Sequence, residues 1–285
     1  MKILHLWNTG GGPSVMARYS EYESHVLMAG YMDPYDICAC YTDVCTVVNY
    51  PVLKSRCFGL RALAESRRYD IVHIHAGPKL FYWFHKFSRI FQKKKLIFHY
   101  HGSDIRLTPK DIRLDVEKYA DRILVSTPDL LQYKLDVELT YVPNPVDTKL
   151  FARHDDISCN NRGRCNLKPG QDNDWTKNVL DEYGYGDVDW DFQCRLGGAA
   201  ERNSGGRVAF ADMPHILLDY EYYADIHFDK STGRTYQADS KTALEAMSLG
   251  LKVIRYDGTT SNKLPKRHMP ENVAKQMDSI YRDIA

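Results

Sequence analysis

The chain has 285 residues, enough for two domains of ordinary size that each bury a core. Its 38 Lys and Arg offset 37 Asp and Glu to a formal charge of +1, which leaves no electrostatic basis for a nucleic-acid partner or an acidic polymer. The seven cysteines form no Cys-x-x-Cys pair and read as reduced thiols, and no apolar run nears the ~18 residues of a spanning helix, so a soluble, cytoplasmic protein is expected.

Lys2 to Trp7 reads as a short apolar strand, and Asn8 to Ser14 as a turn whose Gly10, Gly11 and Gly12 permit unusual backbone angles and close approach of a ligand. The turn matches neither Gly-x-Gly-x-x-Gly nor Gly-Lys-Ser/Thr, so neither of those nucleotide fingerprints applies. A helix is expected from Ser14 to Ala29, then a strand from Tyr35 to Tyr41, on which Cys38 and Cys40 would face opposite ways. Helices over Gly59 to Arg68, Lys79 to Gln92 and Pro109 to Ala120 alternate with strands over Asp70 to His75, Lys95 to His101, Arg122 to Thr127 and Val137 to Val142. Such alternation predicts a doubly wound parallel sheet, with ligands beyond the carboxyl ends of its strands. Gly10 to Gly12, His75 to Gly77 and His101 to Asp104 should therefore share one rim.

His101 ends an apolar strand and is followed by Gly, Ser and Asp, a place from which an imidazole can donate to a sugar hydroxyl or a phosphate oxygen. His73 and His75 lie on one face of their strand, but with no third ligand apparent nearby no metal is expected. The aromatic helix from Lys79 to Lys95 carries Lys86, Arg89 and Lys93 to Lys95. It reads as a core-packing helix with a solvated basic end, or alternatively as a peripheral contact with an anionic membrane.

Two prolines in Tyr141 to Phe151 mark a domain boundary, giving an expected first domain over 1–150 and a second over 151–285, with the last helix free to return to the first. Ala152 to Asn173 is polar and carries no assignable pattern. Beyond it, helices are expected over Trp175 to Tyr183 and Met213 to Tyr223, and strands over Val188 to Cys194, Arg207 to Phe210 and Asp225 to Phe228. A final helix runs from about Pro270 to Ile284. Together they predict a smaller α/β unit of about four parallel strands.

The most informative stretch is Thr235 to Asp257. Asp239 or Ser240 can cap a helix that contains Glu245 and stops at Gly250, and Leu251 to Tyr256 reads as a buried strand. Backbone N–H groups at Ser240, Lys241 and Thr242, with the helix dipole behind them, would suit a diphosphate.

These pieces together resemble the retaining GT-B glycosyltransferases of the glycogen-synthase and mannosyltransferase type, family 4. The resemblance is carried by Gly10 to Gly12, Asp70 to His75, His101 to Asp104, Ala120 to Pro128, Val142 to Asp147 and Thr242 to Ile254. It covers Met1 to about Phe151 well and Val208 to Tyr256 moderately, and fails from Ala152 to about Gly205. It implies two Rossmann-like domains, the second smaller, and a metal-independent, retaining transfer of a hexose from a nucleoside diphosphate sugar, such as a UDP- or GDP-sugar, to a hydroxyl. The acceptor would be a glycan, a lipid or a small molecule, and no further cofactor is implied.

In the resembling family the nucleotide sugar lies in a cleft between the domains. By that resemblance Glu245 holds the ribose hydroxyls, Ser240, Lys241 and Thr242 hold the diphosphate with Gly11 and Gly12 approaching it, and His101 reaches the donor sugar. The chain departs from the pattern twice. The first acid of the family's Glu-x7-Glu motif falls at Gln237, and the Arg and Lys phosphate clamp is met only by position, at Arg164 and Lys168, with Arg234 and Lys241 as substitutes. A non-catalytic sugar-nucleotide-binding relative and a sugar-nucleotide epimerase of the same fold are the competing functions.

Overall fold

In the computed structural model the chain divides into two compact units, Met1–Pro145 with Arg267–Ala285, and Val146–Lys266. The structure describes residues 1–50, 54–76, 84, 88–89, 92–106, 108–133, 137–154, 157, 159–167, 172–194, 208–229, 234–235 and 237–285. Lys168 and most of the expected helix over Lys79 to Gln92 lie outside them.

The first unit runs β1 (Lys2–Leu6), α1 (Gly12–Tyr19), β2 (Glu23–Ala29), β3 (Cys45–Val48), α2 (Lys54–Ser66), β4 (Ile71–His75), β5 (Lys95–Tyr100), α3 (Ser103–Arg106), α4 (Lys110–Glu117), β6 (Arg122–Val125) and β7 (Leu139–Tyr141). The strands form one parallel sheet in the order β3-β2-β1-β4-β5-β6-β7. The order reverses on either side of β1, where β1 and β4 lie adjacent. That is where a doubly wound sheet leaves its crevice.

Two expected elements are corrected here. The helix expected over Ser14 to Ala29 ends at Tyr19, and its second half is β2, held between β1 and β3 with Val26 to Ala29 buried. A short apolar run does not distinguish a buried strand from a buried helix, and the sheet decides it. The strand expected over Tyr35 to Tyr41 is a 3-10 turn over Ile37–Tyr41, because the Asp33 carboxylate accepts the N–H groups of Ile37 and Cys38 and curls the backbone. Cys38 consequently packs beside Cys45, which the strand reading did not foresee.

In the second unit β8 (Arg162–Leu167), α5 (Asn173–Glu182), β9 (Asp189–Cys194), α6 (Met213–Leu218), β10 (Tyr222–Asp225), β11 (Phe228–Asp229), β12 (Arg234–Thr235), α7 (Lys241–Leu249), β13 (Lys252–Arg255) and β14 (Thr260–Ser261) follow in order. Its sheet has the order β14-β13-β10-β8-β9, four parallel strands with β14 antiparallel at one edge, and β11 and β12 make a separate hairpin. The unassigned polar stretch contains β8, an interior strand whose Arg and Asn residues hid it. The helix expected over Met213 to Tyr223 ends at Leu218, and β10 begins at Tyr222, three residues before the strand expected there. Phe210 opens a 3-10 turn rather than closing a strand.

The last helix, α8 (Pro270–Ile284), belongs to the first unit. It buries Val273, Met277, Tyr281 and Ile284 against Ile3, Ile71, Ile97 and Leu124, one face of the first sheet. Each such side chain removed from water stabilises the unit by roughly 1.5–3 kcal/mol. The α/β class and parallel Rossmann-like sheets expected from the sequence are the ones observed. No helix among the described residues is long and apolar enough to cross a membrane.

Candidate functional site

Each unit carries its own group of candidate residues. In the first, β1 is followed by Trp7, at φ 70°, and Gly10 (φ 57°) and Gly11 (φ 76°) turn the chain into α1, whose first residue is Gly12. Side chains rarely adopt the angles of Gly10 and Gly11, so the loop requires glycine there. Asn8 Oδ1 accepts the Ser14 N–H at 3.2 Å and ties the loop to the first turn of α1.

The end of β5 is fixed by Asp104, whose carboxylate accepts the N–H groups of His101 (2.9 Å) and Gly102 (2.7 Å). Gly102 sits at φ 133°, and a Cβ there would meet Arg106 Nη1 at 2.8 Å. The His101 ring is thereby set at the strand end with Nδ1 3.2 Å from Asn144 Oδ1 and Nε2 3.2 Å from His75 Nδ1. To bind a sugar hydroxyl, one of these contacts must be exchanged for it.

His75 and His101 belong to a larger group that sequence reasoning missed. The register pairs His5 with His73 and His75 with His99, so five imidazoles from β1, β4 and the β5 strand end stand on the sheet face that α8 covers. Two sets of three, His5 with His73 and His75, and His75 with His99 and His101, each bring ligand nitrogens within 4.8 Å of one another. The expectation that His73 and His75 lack a third partner is thus corrected. The signal was present as alternate histidines in Ile71 to His75 and Phe98 to His101, but it needs strand register to read. Burial pushes His5 down to about 3, with His25 adding to it, and holds His73, His75 and His99 well below the usual imidazole range, with repulsion from neighbouring rings adding to it and the Val142 backbone opposing it at His99.

In the second unit, β10 ends at Asp225 and α7 begins beyond the β11–β12 hairpin. Ser240 is the N-cap, its hydroxyl accepting the Ala243 N–H at 3.2 Å, and Gly250 closes the helix at φ 105°. The Ser240 N–H itself donates to Asp225 Oδ2 at 2.7 Å, so the chain's own carboxylate takes the N–H expected to hold a diphosphate. Asp225 Oδ1 lies 3.0 Å from His227 Nε2. Burial pushes the Asp225 carboxyl up, but His227 and the Ser240 N–H outweigh it and hold the group below the usual carboxylate range.

Glu245 is 3% exposed, and Lys241 Nζ stands 3.9 Å from its Oε1, one turn nearer the helix N-terminus. Burial lowers the Lys241 ammonium, with the Glu245 and Asp147 carboxylates opposing. Arg255 binds Asp239, next to the cap, at 2.8 Å. Thus α7 holds a cation in its first turn and a buried acid one turn on.

Arg164, in β8, donates to Asn166 at 3.2 Å and lies 4.0 Å from Asp191, toward β9. Gln237 is exposed in the loop three residues before the cap, and Arg234 lies in β12. At the basic end of the expected aromatic helix, Arg89 is bound to Asp121 at 2.7 Å and Lys94 to the Tyr69 carbonyl at 2.5 Å, which ties part of that charge to the body of the unit.

No protein-family profile matches the chain. No curated protein matches it either. Among solved structures, HepE of Anabaena, in complex with UDP, superposes with a TM-score of 0.52 at 12% identity, over 99% of this chain and 90% of that one. The apo lipopolysaccharide outer core galactosyltransferase WaaB gives a TM-score of 0.49 at 12% identity, over 100% and 90%. The catalytic domain of starch synthase IV from Arabidopsis thaliana, bound to ADP and acarbose, gives 0.48 at 8%, over 100% and 98%. The likeness to HepE shows the α/β GT-B fold of this chain.

Proposed function

We propose that the protein is a retaining glycosyltransferase that moves a hexose from a nucleoside diphosphate sugar to a hydroxyl of a glycan, a lipid or a small molecule. The observation that carries this is the order of groups on α7: a capped N-terminus, Lys241 in its first turn, and the buried Glu245 one turn on. A helix N-terminus with a lysine attracts a diphosphate, and a buried carboxylate accepts two adjacent ribose hydroxyls. The fold shared with HepE, solved with UDP, supports a uridine donor as the first to try.

As the bond to the anomeric carbon breaks, charge develops on the leaving diphosphate, and the N–H groups of Lys241 and Thr242 with the Lys241 ammonium are placed to stabilise it. The reaction is proposed to need no metal for that charge. Gly11 and Gly12 offer close backbone approach on the first unit, and His101 meets the sugar either by donating from Nδ1 in place of Asn144 or by accepting at Nε2 in place of His75. Arg164 and Lys168 remain proposed clamp residues by position.

The competing reading is a sugar-nucleotide-binding protein without turnover, favoured by an uncharged Gln237 where the resembling family has an acid. A screen of UDP-, GDP- and ADP-sugars, following nucleoside diphosphate release with and without simple hydroxyl acceptors, separates the two. Release that depends on acceptor supports the transferase. Tight nucleotide binding with no release in any pairing supports the binding protein.

A further inference from the structure

The histidine group of the first unit has chemistry that sugar transfer does not use. His99 is 1% exposed and neither ring nitrogen makes a hydrogen bond of ordinary geometry, although the Val142 backbone lies near enough to favour the protonated ring, whereas buried polar groups are nearly always satisfied. It stands beside His75 and His101, with a ligand nitrogen of each of the three within 4.8 Å of the others. His75 Nδ1 and His101 Nε2 are already 3.2 Å apart, close to the roughly 3.3 Å between two ligands of a tetrahedral ion with bonds of about 2.0–2.1 Å. A modest rotation of the His99 ring supplies the third.

Two further features suit an ion. Asn144 Oδ1 accepts from His101 Nδ1 at 3.2 Å, fixing the tautomer in which Nε2 carries no proton, as an outer partner of a metal-bound histidine does. His101 is also half-buried at the strand end, so of the three rings it is the one that meets solvent. The neighbouring set is less suited: His5, His73 and His75 are completely buried, His5 is paired to His75 at 3.0 Å, and His73 is held by Tyr281 at 2.7 Å.

We propose that His75, His99 and His101 form a binding site for one divalent late first-row transition ion, with zinc as the type case, leaving its fourth position toward solvent. Three imidazoles without a carboxylate or thiolate select zinc, cobalt, nickel or copper over the oxygen-preferring magnesium and calcium. The site rests on the histidines alone and stands whether or not the chain transfers sugar. Where both hold, the ion and the donor sugar compete for His101.

The test uses the full, tag-free chain stripped with a chelator and titrated with zinc by calorimetry, and with cobalt by visible absorption. One ion per chain and the intense bands of tetrahedral cobalt are expected. His99→Phe and His101→Gln should each weaken zinc by more than about a hundredfold, and Asn144→Ala and His5→Phe, each removing the outer partner of one ligating histidine, by about tenfold. Circular dichroism checks each fold, and His101→Gln, at a half-exposed position, is the variant least exposed to misfolding. The wild-type cobalt spectrum needs no variant. Zinc bound no more tightly by wild type than by the His99→Phe, His101→Gln double variant overturns the proposal. So does loss of binding in His5→Phe with retention in His101→Gln.

Discussion

The Ser240 N–H donates to Asp225 Oδ2 at 2.7 Å, so the carboxylate at the end of one strand is tied to the N-cap of the next helix. The negative charge lies where the positive end of the helix dipole favours it, and His227 lies 3.0 Å from the other carboxylate oxygen. A buried carboxylate held this way fixes where α7 begins.

The first prediction follows from that tie. Because the folded Asp225 carboxyl is held below its unfolded value, it contributes stability above the unfolded pKa of about 3.9 and loses it as pH falls through the folded one. Asp225→Ala should cost roughly 3–5 kcal/mol at pH 7, since it strands His227 and the Ser240 N–H. The gap between wild type and variant should narrow as pH falls below 4. Urea unfolding at pH 7 and at pH 3 measures it, and a gap that does not change with pH means the carboxylate is not ionised in the folded protein.

Glu245 should be the least replaceable residue of the proposed donor site. Glu245→Ala removes the acceptor for two ribose hydroxyls and should weaken nucleoside diphosphate binding by about 5- to 150-fold, or roughly 1–3 kcal/mol. Calorimetry with UDP, GDP and ADP reads it. Unchanged affinity in a folded variant removes the support that α7 gives to a nucleotide.

His101→Ala should lower turnover with a full donor far more than it lowers affinity for the bare diphosphate, because its contact is to the sugar end. Measured with chelator present, the two losses should differ by at least tenfold, about 1.4 kcal/mol. Equal losses would place His101 away from the sugar.

Much of this was legible in the sequence where local chemistry and tertiary structure agree. Ser240, Glu245 and Gly250 are a cap, a buried acid and a stop on one helix, and each is recognisable from its neighbours alone. Strand β8 was not, since Arg162-Gly-Arg-Cys-Asn-Leu167 is polar for an interior strand and is held by pairing with β9 and β10. Strand β2 was misread because burial on both faces erases the alternation that marks a strand. The histidine group was invisible for another reason: each strand shows at most two of its members, and only the register of three strands assembles the rest.

Gln237 is where the chain departs most from the family it resembles, and the structure leaves it exposed in the loop leading to the cap of α7. A carboxamide keeps one acceptor oxygen and adds an N–H donor, so it can orient a sugar hydroxyl, but it offers no negative charge to a transition state with oxocarbenium character. If it touches the donor sugar, Gln237→Ala should reduce turnover about tenfold through one lost hydrogen bond of ~1.4 kcal/mol, with little change in bare diphosphate affinity. Gln237→Glu keeps the acceptor and restores the charge, so donor binding should hold and turnover should rise. The two variants move in opposite directions only if the side chain meets the reacting sugar. Steady-state kinetics with the donor found in the nucleotide-sugar screen decides it, and wild-type rates in Gln237→Ala would mean that the loop residue has no ligand.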